Sequence, residues 1–304
     1  MKILMATDGS KEADIALRSA SRLLKTGDVY VDLLSVAVGF PASSSKAGFS
    51  QLRENYHRRI LPETRRILER AQKTLCAEGA GEIHLIFETG SPARVIADLA
   101  ADYDLTVIGA KGREDRSRGG GLGPVASAVV NHASGAIYIG RAIRADRGAR
   151  ILVALDGSAA SLQALETLTS LFELDSAEVT LMHVVESPWL HLGPLDEGVA
   201  GPEEASDETE MSEELFLGEL RSEAEQLIEK ARDQLLAEHS AVSTMVEQGN
   251  PATQLLSQAD IGEYDLVVVG GTGAVDLKHK ILGSVSAQIV WNAPCSVLLV
   301  KSEP

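Results

Sequence analysis

The chain has 304 residues and a formal net charge of −16, with 44% hydrophobic but only 4% aromatic residues. This length is sufficient for two domains of ordinary size, with cores built from aliphatic side chains. The acidity argues against a general nucleic-acid-binding protein, which would carry a basic surface, but it does not exclude one small anionic ligand bound locally.

The sequence favours a cytoplasmic location. No stretch approaches the roughly 20 apolar residues of a membrane span, and the N-terminal apolar run, which ends at Asp8, is too short for a signal peptide. Cys76 and Cys295 are far apart and match no metal-binding spacing, which is typical of free thiols in a reducing compartment.

Short apolar runs alternate with amphipathic segments through the first part of the chain. The patterns predict strands at 2–7, 29–36, 83–88, 104–109 and 136–140, and helices at 10–25, 50–78, 92–102 and 123–133. Such alternation is typical of right-handed βαβ units around a parallel sheet that is buried on both faces. Ser10 is a predicted N-cap, and Pro92 is predicted to lie in a first helical turn.

The same landmarks recur in the same order in the second part of the chain. Residues 3–10 recur as 151–158, residues 90–93 as 249–252, and residues 103–112 as 264–273. The corresponding strands are predicted at 150–155, 178–185, 242–247, 265–269 and 296–301, and the helices at 158–172, 211–238, 251–262 and 283–292. The repeat predicts two tandem doubly wound α/β domains, 1–145 and 149–304, here called the first half and the second half.

An acidic segment separates two of these predicted elements in the second half. Residues 193–214 contain nine carboxylates and no Lys or Arg. This composition predicts a loop that leads into the following helix. Two interpretations remain open: a solvated linker, or a lid or partner-docking loop beside a ligand site.

A glycine-rich loop follows the predicted strand at 265–269. Its spacing is G-x2-G-x9-G-S, formed by Gly270, Gly273, Gly283 and Ser284. Glycines allow the backbone to approach a ligand closely. A helix that begins at Gly283-Ser284 would direct free N–H groups and the positive end of its dipole at an anion. The loop therefore predicts a phosphate site.

Together, the recurrent Asp-Gly-Ser at 8–10 and 156–158, the Gly-x-Pro at 90–92 and 249–251, and this loop resemble the universal stress protein family. The resemblance covers nearly the whole chain and indicates a tandem member. It implies a five-stranded parallel sheet in each half, with strand order 3-2-1-4-5 and flanking helices, the two packed as a pseudo-dimer. Many members bind ATP, so ATP with Mg²⁺ is the expected ligand.

The resemblance also implies roles for individual residues. It places Asp156 beside the ribose or the phosphate-bound metal, and the backbone of Val184 at the adenine edge. It places Gly270 and Gly273 along the ribose and phosphates. It assigns the phosphates to backbone N–H groups and hydroxyls of Gly283, Ser284, Val285 and Ser286.

The first half departs from this pattern. Ten residues rather than nine separate Gly112 from Gly123, and Pro124 replaces the expected Ser or Thr. Proline supplies neither a hydroxyl nor an N–H donor. The basic residues Lys111, Arg113, Arg116 and Arg118 of this loop either replace the lost contacts or are simply solvated. We therefore expect one competent nucleotide site per chain, in the second half.

The expected function is that of an ATP-binding regulatory protein of the stress response, acting on an unidentified protein partner. Two alternatives remain open: a slow ATPase or nucleotidyl-transfer enzyme, and a scaffold that binds no nucleotide. No Walker A motif or nucleophile–base pair is present. We assign no catalytic residue. For the enzyme alternative, the side chains to test are His183, which lies next to Val184, and Lys278, His279 and Lys280 of the loop.

The last strand of each half would be an exposed sheet edge in an isolated domain, which proteins avoid. Pairing of 136–140 with 296–300 across a pseudo-twofold axis would cover both edges within one chain. Association of two chains into a homodimer is left open, as is the choice between ATP and other adenine nucleotides.

Overall fold

The computed structural model describes residues 1–25, 27, 29–39, 50–79, 81–112, 121–141, 147–186, 207–236, 241–271 and 282–301. Within these ranges, strands and helices alternate as the sequence predicts. No helix in this part of the chain is long and apolar enough to cross a membrane.

Each half contributes five strands and four helices within the described ranges. Those of the first half are β1 (Lys2–Ala6), α1 (Lys11–Leu23), β2 (Tyr30–Val38), α2 (Ser50–Ala77), β3 (Glu82–Gly90), α3 (Pro92–Ala100), β4 (Leu105–Gly109), α4 (Pro124–His132) and β5 (Gly135–Gly140). Those of the second half are β6 (Arg150–Ala154), α5 (Ala159–Leu171), β7 (Glu178–Val185), α6 (Asp207–Leu236), β8 (Val242–Gln248), α7 (Pro251–Ile261), β9 (Leu266–Gly270), α8 (Ser284–Asn292) and β10 (Ser296–Lys301).

All ten strands form one continuous sheet, in the order β3-β2-β1-β4-β5-β10-β9-β6-β7-β8. Each half has the predicted order 3-2-1-4-5 with parallel neighbours, which confirms the fold class. The halves join through the antiparallel pair β5–β10, in which Tyr138 lies opposite Leu298. The predicted pairing of the two edges is therefore confirmed. The strand order reverses between β1 and β4 and between β6 and β9, and ligands of such sheets bind at these switch points.

The predictions for individual helix starts are confirmed. Ser10 and Ser158 are N-caps, and their hydroxyls accept from the third residue of α1 and α5 respectively, at 3.1 Å. Pro92 begins α3 and Pro251 begins α7. A glycine with a positive φ precedes each helix: Gly90, the last residue of β3, has a φ of 149°, and Gly249, which follows β8, has a φ of 134°. This conformation is available to glycine at little cost.

The acidic segment 193–214 was predicted to be a loop that leads into a helix at 211–238, and the loop prediction is wrong at its end. Helix α6 begins at residue 207, so residues 207–214 are helical, while 193–206 lie outside the described residues. The error arises because carboxylates were taken as a loop signal, although acidic residues are favoured in the first turn of a helix.

The hydrophobic core is shared between the halves. On each face of the sheet, one cluster of buried side chains draws members from both halves. On the face covered by α1 and α5, the ring of Tyr138 lies 6.2 Å from that of Phe172, which follows α5. The residues after α1 and α5 also form an antiparallel bridge, Leu24 with Phe172. The two halves therefore stabilise one another through a common core.

Candidate functional site

Three segments of the second half converge at the switch point between β6 and β9. The strands run side by side, with Val153 opposite Val268. At the end of β9, a Cβ atom on Gly270 would lie 2.7 Å from the carbonyl carbon of Ala160, in the first turn of α5. The N–H of Gly283, which precedes α8, donates to the carbonyl of Gly271 at 2.8 Å. The β6–α5 loop, the end of β9 and the start of α8 therefore lie together.

The close approach of α5 also explains why residue 270 is a glycine. Any side chain at that position would overlap the backbone of α5, because its nearest neighbours are main-chain atoms that cannot rotate away. Its glycine character is therefore explained by the close approach of α5, whether or not a ligand lies beside it.

The first turn of α8 presents uncapped donors. Its N-cap is Gly283, which has no side chain to accept a hydrogen bond. Within the described part of the chain, no acceptor lies on the N–H groups of Ser284, Val285 or Ser286. Helix α5 is different, since the Ser158 hydroxyl accepts from its first turn. Donors that lack an acceptor among the described residues, together with the positive end of the dipole, make the start of α8 suited to an anion.

Ser286 contributes less than the sequence suggests. Its hydroxyl donates to the carbonyl of Gly270 at 2.5 Å, and the residue is only 6% exposed. A hydroxyl has one proton to donate. In this arrangement Ser286 therefore offers a ligand its backbone N–H, while its side chain fastens α8 to the end of β9.

Asp156 is the second residue after β6, and its carboxylate is only partly exposed. One of its oxygens accepts from the N–H of Ser158 at 2.9 Å and from the Ser158 hydroxyl at 2.5 Å. The pKa of the Asp156 carboxyl lies below its ordinary value: burial alone would raise it, but hydrogen bonds from Ser158 and Ser161 outweigh burial. The group is an anion at neutral pH, which suits a ribose hydroxyl or a metal ion rather than a phosphate.

The structure gives a magnesium ion few protein ligands. No group of three or more His, Cys, Asp or Glu side chains lies at metal-binding distance among the described residues. An ion held at Asp156 would therefore take its other ligands from phosphates and water, which is usual for Mg²⁺.

The end of β7 exposes backbone beyond the end of β6. The carbonyl of Met182 accepts from Leu155, the first residue after β6, at 2.9 Å. In a regular parallel ladder the Leu155 carbonyl would pair next with the N–H of Val184. It accepts instead from Nδ1 of His183 at 2.7 Å. Val184 therefore lies where its backbone can meet a planar ligand, and His183 serves a structural role beside it.

The remaining loop residues of the sequence prediction, Gly273, Lys278, His279 and Lys280, lie outside the described residues. The first half shows the equivalent of Gly273. A Cβ atom on Gly112 would lie 2.9 Å from Oδ2 of Asp8, the counterpart of Asp156. In that half, the second glycine of the loop therefore passes directly against the carboxylate that follows the first strand.

The first half repeats this architecture with fewer donors. The N–H of Gly123 donates to Ala110 at 2.8 Å, which matches the anchor of Gly283. Pro124 is the first residue of α4, so this helix lacks the donor that Ser284 supplies. Arg70 of α2 adds a difference, since its Nη2 donates to the carbonyl of Gly9 at 2.9 Å. Arg113, Arg116 and Arg118 lie outside the described residues.

A separate small cavity lies at the carboxyl ends of β7 and β8, against α6. Its volume is about 140 Å³, below the roughly 300–1,000 Å³ of typical ligand pockets. Its lining includes Val185, Gly218, Arg221 and Glu247. The cavity is too small for a nucleotide.

Fold and site together define a class: a tandem, doubly wound α/β protein in which a helix with a glycine N-cap begins at a switch point. Comparison with known families gives the next step. The model of the Universal stress protein family matches residues 1–139 and again residues 149–301. The chain therefore belongs to the universal stress protein family, as a tandem member, and the resemblance found in the sequence is confirmed.

Individual relatives agree with this assignment. A universal stress protein of Mycolicibacterium smegmatis is 26% identical over 314 residues, covering 98% of this chain and 96% of its own length. Universal stress protein YxiE of Bacillus subtilis is 30% identical over 152 residues, covering 50% of this chain and 98% of its own. A universal stress protein structure from Archaeoglobus fulgidus has a TM-score of 0.65 at 19% identity, covering 99% of this chain and 98% of that chain. The last comparison supports the fold.

Proposed function

We propose that the second half binds an adenine nucleotide, ATP with Mg²⁺, and that the protein acts as a nucleotide-dependent regulator in the stress response. One observation carries the proposal: α8 begins at a switch point with an N-cap glycine and three N–H groups that lack acceptors among the described residues. Uncapped helix starts in this position are well suited to phosphate.

The residue roles in this proposal are those that the family resemblance implies, and the arrangement around that helix supports them. The phosphates lie on the N–H groups of Ser284, Val285 and Ser286, with Gly283 allowing their close approach. The hydroxyl of Ser284 is a fourth donor. Asp156 binds a ribose hydroxyl or the magnesium ion that the phosphates carry.

The base and sugar occupy the strand ends. The adenine edge meets the backbone of Val184, which continues past the end of β6. Gly270 and Gly273 line the ribose and phosphates. Pairing of the base with backbone would select adenine by hydrogen bonds, since a site built for such bonds rejects a base that cannot make them.

The proposal is asymmetric. The second half holds one nucleotide per chain, because Pro124 removes a donor from the corresponding helix of the first half. The first half, residues 1–145, then acts as a structural companion to the binding domain, residues 149–304. Occupancy of the single site alters contacts with a protein partner in the cytoplasm, or with a second copy of the chain.

Isothermal titration with ATP and Mg²⁺ tests the proposal. The wild-type protein should bind, and the double variant Gly283→Ala/Ser284→Ala should bind more weakly, because it loses the Ser284 hydroxyl and crowds the phosphates. Native mass spectrometry of the purified protein should show a bound adenine nucleotide. Absence of binding by the wild type, or equal affinity of the variant, would refute the site.

A further inference from the structure

At the end of the last strand of each half, a basic side chain forms hydrogen bonds with a helix of the other half. Arg141 directly follows β5 of the first half. Its Nη2 donates to the carbonyl of Val290, in the last turn of α8, at 3.1 Å. Its Nη1 donates to the carbonyl of Cys295, which follows α8, at 3.1 Å. One guanidinium therefore joins the end of α8 to the start of β10.

Lys301 is the reciprocal cation. It ends β10, and its Nζ donates to the carbonyls of Ala133, Val130 and Asn131, at 2.7, 3.1 and 3.3 Å, at the end of α4. The strand registers place Arg141 and Lys301 at equivalent positions of the two halves. The repeat therefore provides two crossed caps of the same kind, one on each helix that follows a glycine loop.

The backbone of Arg141 is itself fixed. Its N–H donates to the Ser296 hydroxyl at 2.9 Å, and that hydroxyl donates back to the Arg141 carbonyl at 3.0 Å. Ser296 has no exposed surface. The guanidinium thus extends from a rigid point on the sheet, where β5 of the first half meets β10, and this point does not depend on α8.

A fixed cation at the end of α8 also constrains the direction of the helix axis. The last carbonyls of a helix lack partners and carry negative partial charge, which a cation satisfies. Helix α8 has nine residues, so its two ends are about 13 Å apart along one rigid rod. At the other end, the hydroxyl of Ser286 fastens the rod to Gly270. Movement of the capped end would tilt the N–H groups of Ser284 and Val285.

A second contact joins the same turn to the first half. Trp291, in the last turn of α8, lies beside the loop before α4: a Cβ atom on Gly121 would be 3.7 Å from its ring. The end of α8 therefore contacts the first half twice, through a charged cap and through an aromatic ring.

We propose that Arg141, a residue of the first half, is a positioning residue for the nucleotide site of the second half, because it fixes the end of the helix whose start holds the phosphates. This inference rests on the proposed function. It gives the degenerate half a specific task, since the intact site is complete only when the other half supplies the cap.

Matched variants test this inference. Arg141→Met removes the cap of α8 and keeps an apolar stem of similar length. Lys301→Met removes the equivalent cap of α4, which lies in the half without a competent site. Titration with ATP and Mg²⁺ should show a Kd about fivefold or more higher for Arg141→Met, within the range typical of coupling between sites. Lys301→Met should leave the Kd within about twofold of wild type.

Arg141→Lys is the rescue variant. Lysine makes three carbonyl contacts at the equivalent position in the other half, so it should restore most of the affinity. If the two caps served global stability alone, Arg141→Met and Lys301→Met would change the Kd for ATP equally. If Arg141→Met does not fold, Arg141→Gln, which keeps donors but no charge, takes its place.

A ligand-free measurement separates this inference from the proposed function. In the nucleotide-free protein, the amide NMR signals of Ser284 and Val285 should shift in Arg141→Met and stay unchanged in Lys301→Met. Failure of the wild type to bind ATP would refute the proposed function, and these shifts would then decide the inference alone. Unchanged amide signals in Arg141→Met, or equal effects of both variants on the Kd, would overturn it.

Discussion

The replacement Ser284→Pro gives α8 the same first two positions as α4, a glycine N-cap followed by proline. The fold should tolerate the change, because α4 already begins with proline after a glycine N-cap. The N-cap φ and ψ are −70° and 165° at Gly123 and −59° and 152° at Gly283. This extended conformation is the one that a residue before proline prefers. The unfolding free energy should therefore change by no more than about 0.5 kcal/mol.

The effect on nucleotide binding should be large. The proline removes the N–H of the first helical residue and the Ser284 hydroxyl. A hydrogen bond to a charged group contributes about 1.5–3 kcal/mol. Loss of the N–H contact alone therefore raises the Kd for ATP by about 10- to 150-fold. Ser284→Ala removes only the hydroxyl, so the difference between the two variants isolates the backbone donor.

Isothermal titration measures both variants, and urea unfolding controls for stability. The reverse change, Pro124→Ser with one residue of the 113–122 loop deleted, should create or strengthen a site in the first half. A Ser284→Pro protein that is as stable as wild type and binds ATP equally well would show that α8 does not hold the phosphates.

Three further predictions concern stability and assembly. Gly140→Ala should destabilise the protein by about 1–3 kcal/mol in urea unfolding, since the new Cβ would lie 2.3 Å from the Cβ of Ala16. The control is Gly218→Ala in helix α6, where the new Cβ would have no neighbouring atom within 4 Å. This control should stabilise the protein by about 0.5–1 kcal/mol. The pKa of Asp156 is lowered in the folded protein, so its ionised carboxylate stabilises the fold above the unfolded-state pKa, and this stabilisation is lost as the pH falls through the folded-state pKa. Carbon-detected NMR titration should show a higher Asp156 pKa in Ser158→Ala. An unchanged pKa would contradict the assigned hydrogen bonds. The second half expressed alone should elute as a dimer in size-exclusion chromatography, because β10 would become a free apolar edge; a stable monomer would contradict the shared core.

The sequence predicts the fold well because its signals are redundant. Runs such as Leu266–Gly270 are apolar without alternation, as strands buried on both faces must be. The repeat then fixes topology twice over, and the need to cover β5 and β10 predicts that they pair. Local chemistry also places helix starts correctly, since Ser158 and Pro251 act on their own neighbours.

What the sequence misses depends on contacts between distant segments. The hydrogen bond from the Ser286 hydroxyl to the Gly270 carbonyl occupies a hydroxyl that was expected to bind phosphate. The close approach of α5 explains, apart from any ligand, why residue 270 is a glycine. Neither is visible without the fold. The crossed caps were not predicted from the sequence either, although a signal exists: a basic residue lies at the end of the last strand at equivalent positions of the repeat, Arg141 and Lys301. Alignment of the halves beyond their glycine loops would have identified the pair.

The central claim is that one nucleotide binds per chain, at the start of α8. A crystal structure of the protein with ATP and Mg²⁺ tests it most directly. We expect density for phosphates at the N–H groups of Ser284, Val285 and Ser286, and none at the start of α4 beside Pro124. Density at α4, at both helices or at neither would contradict it.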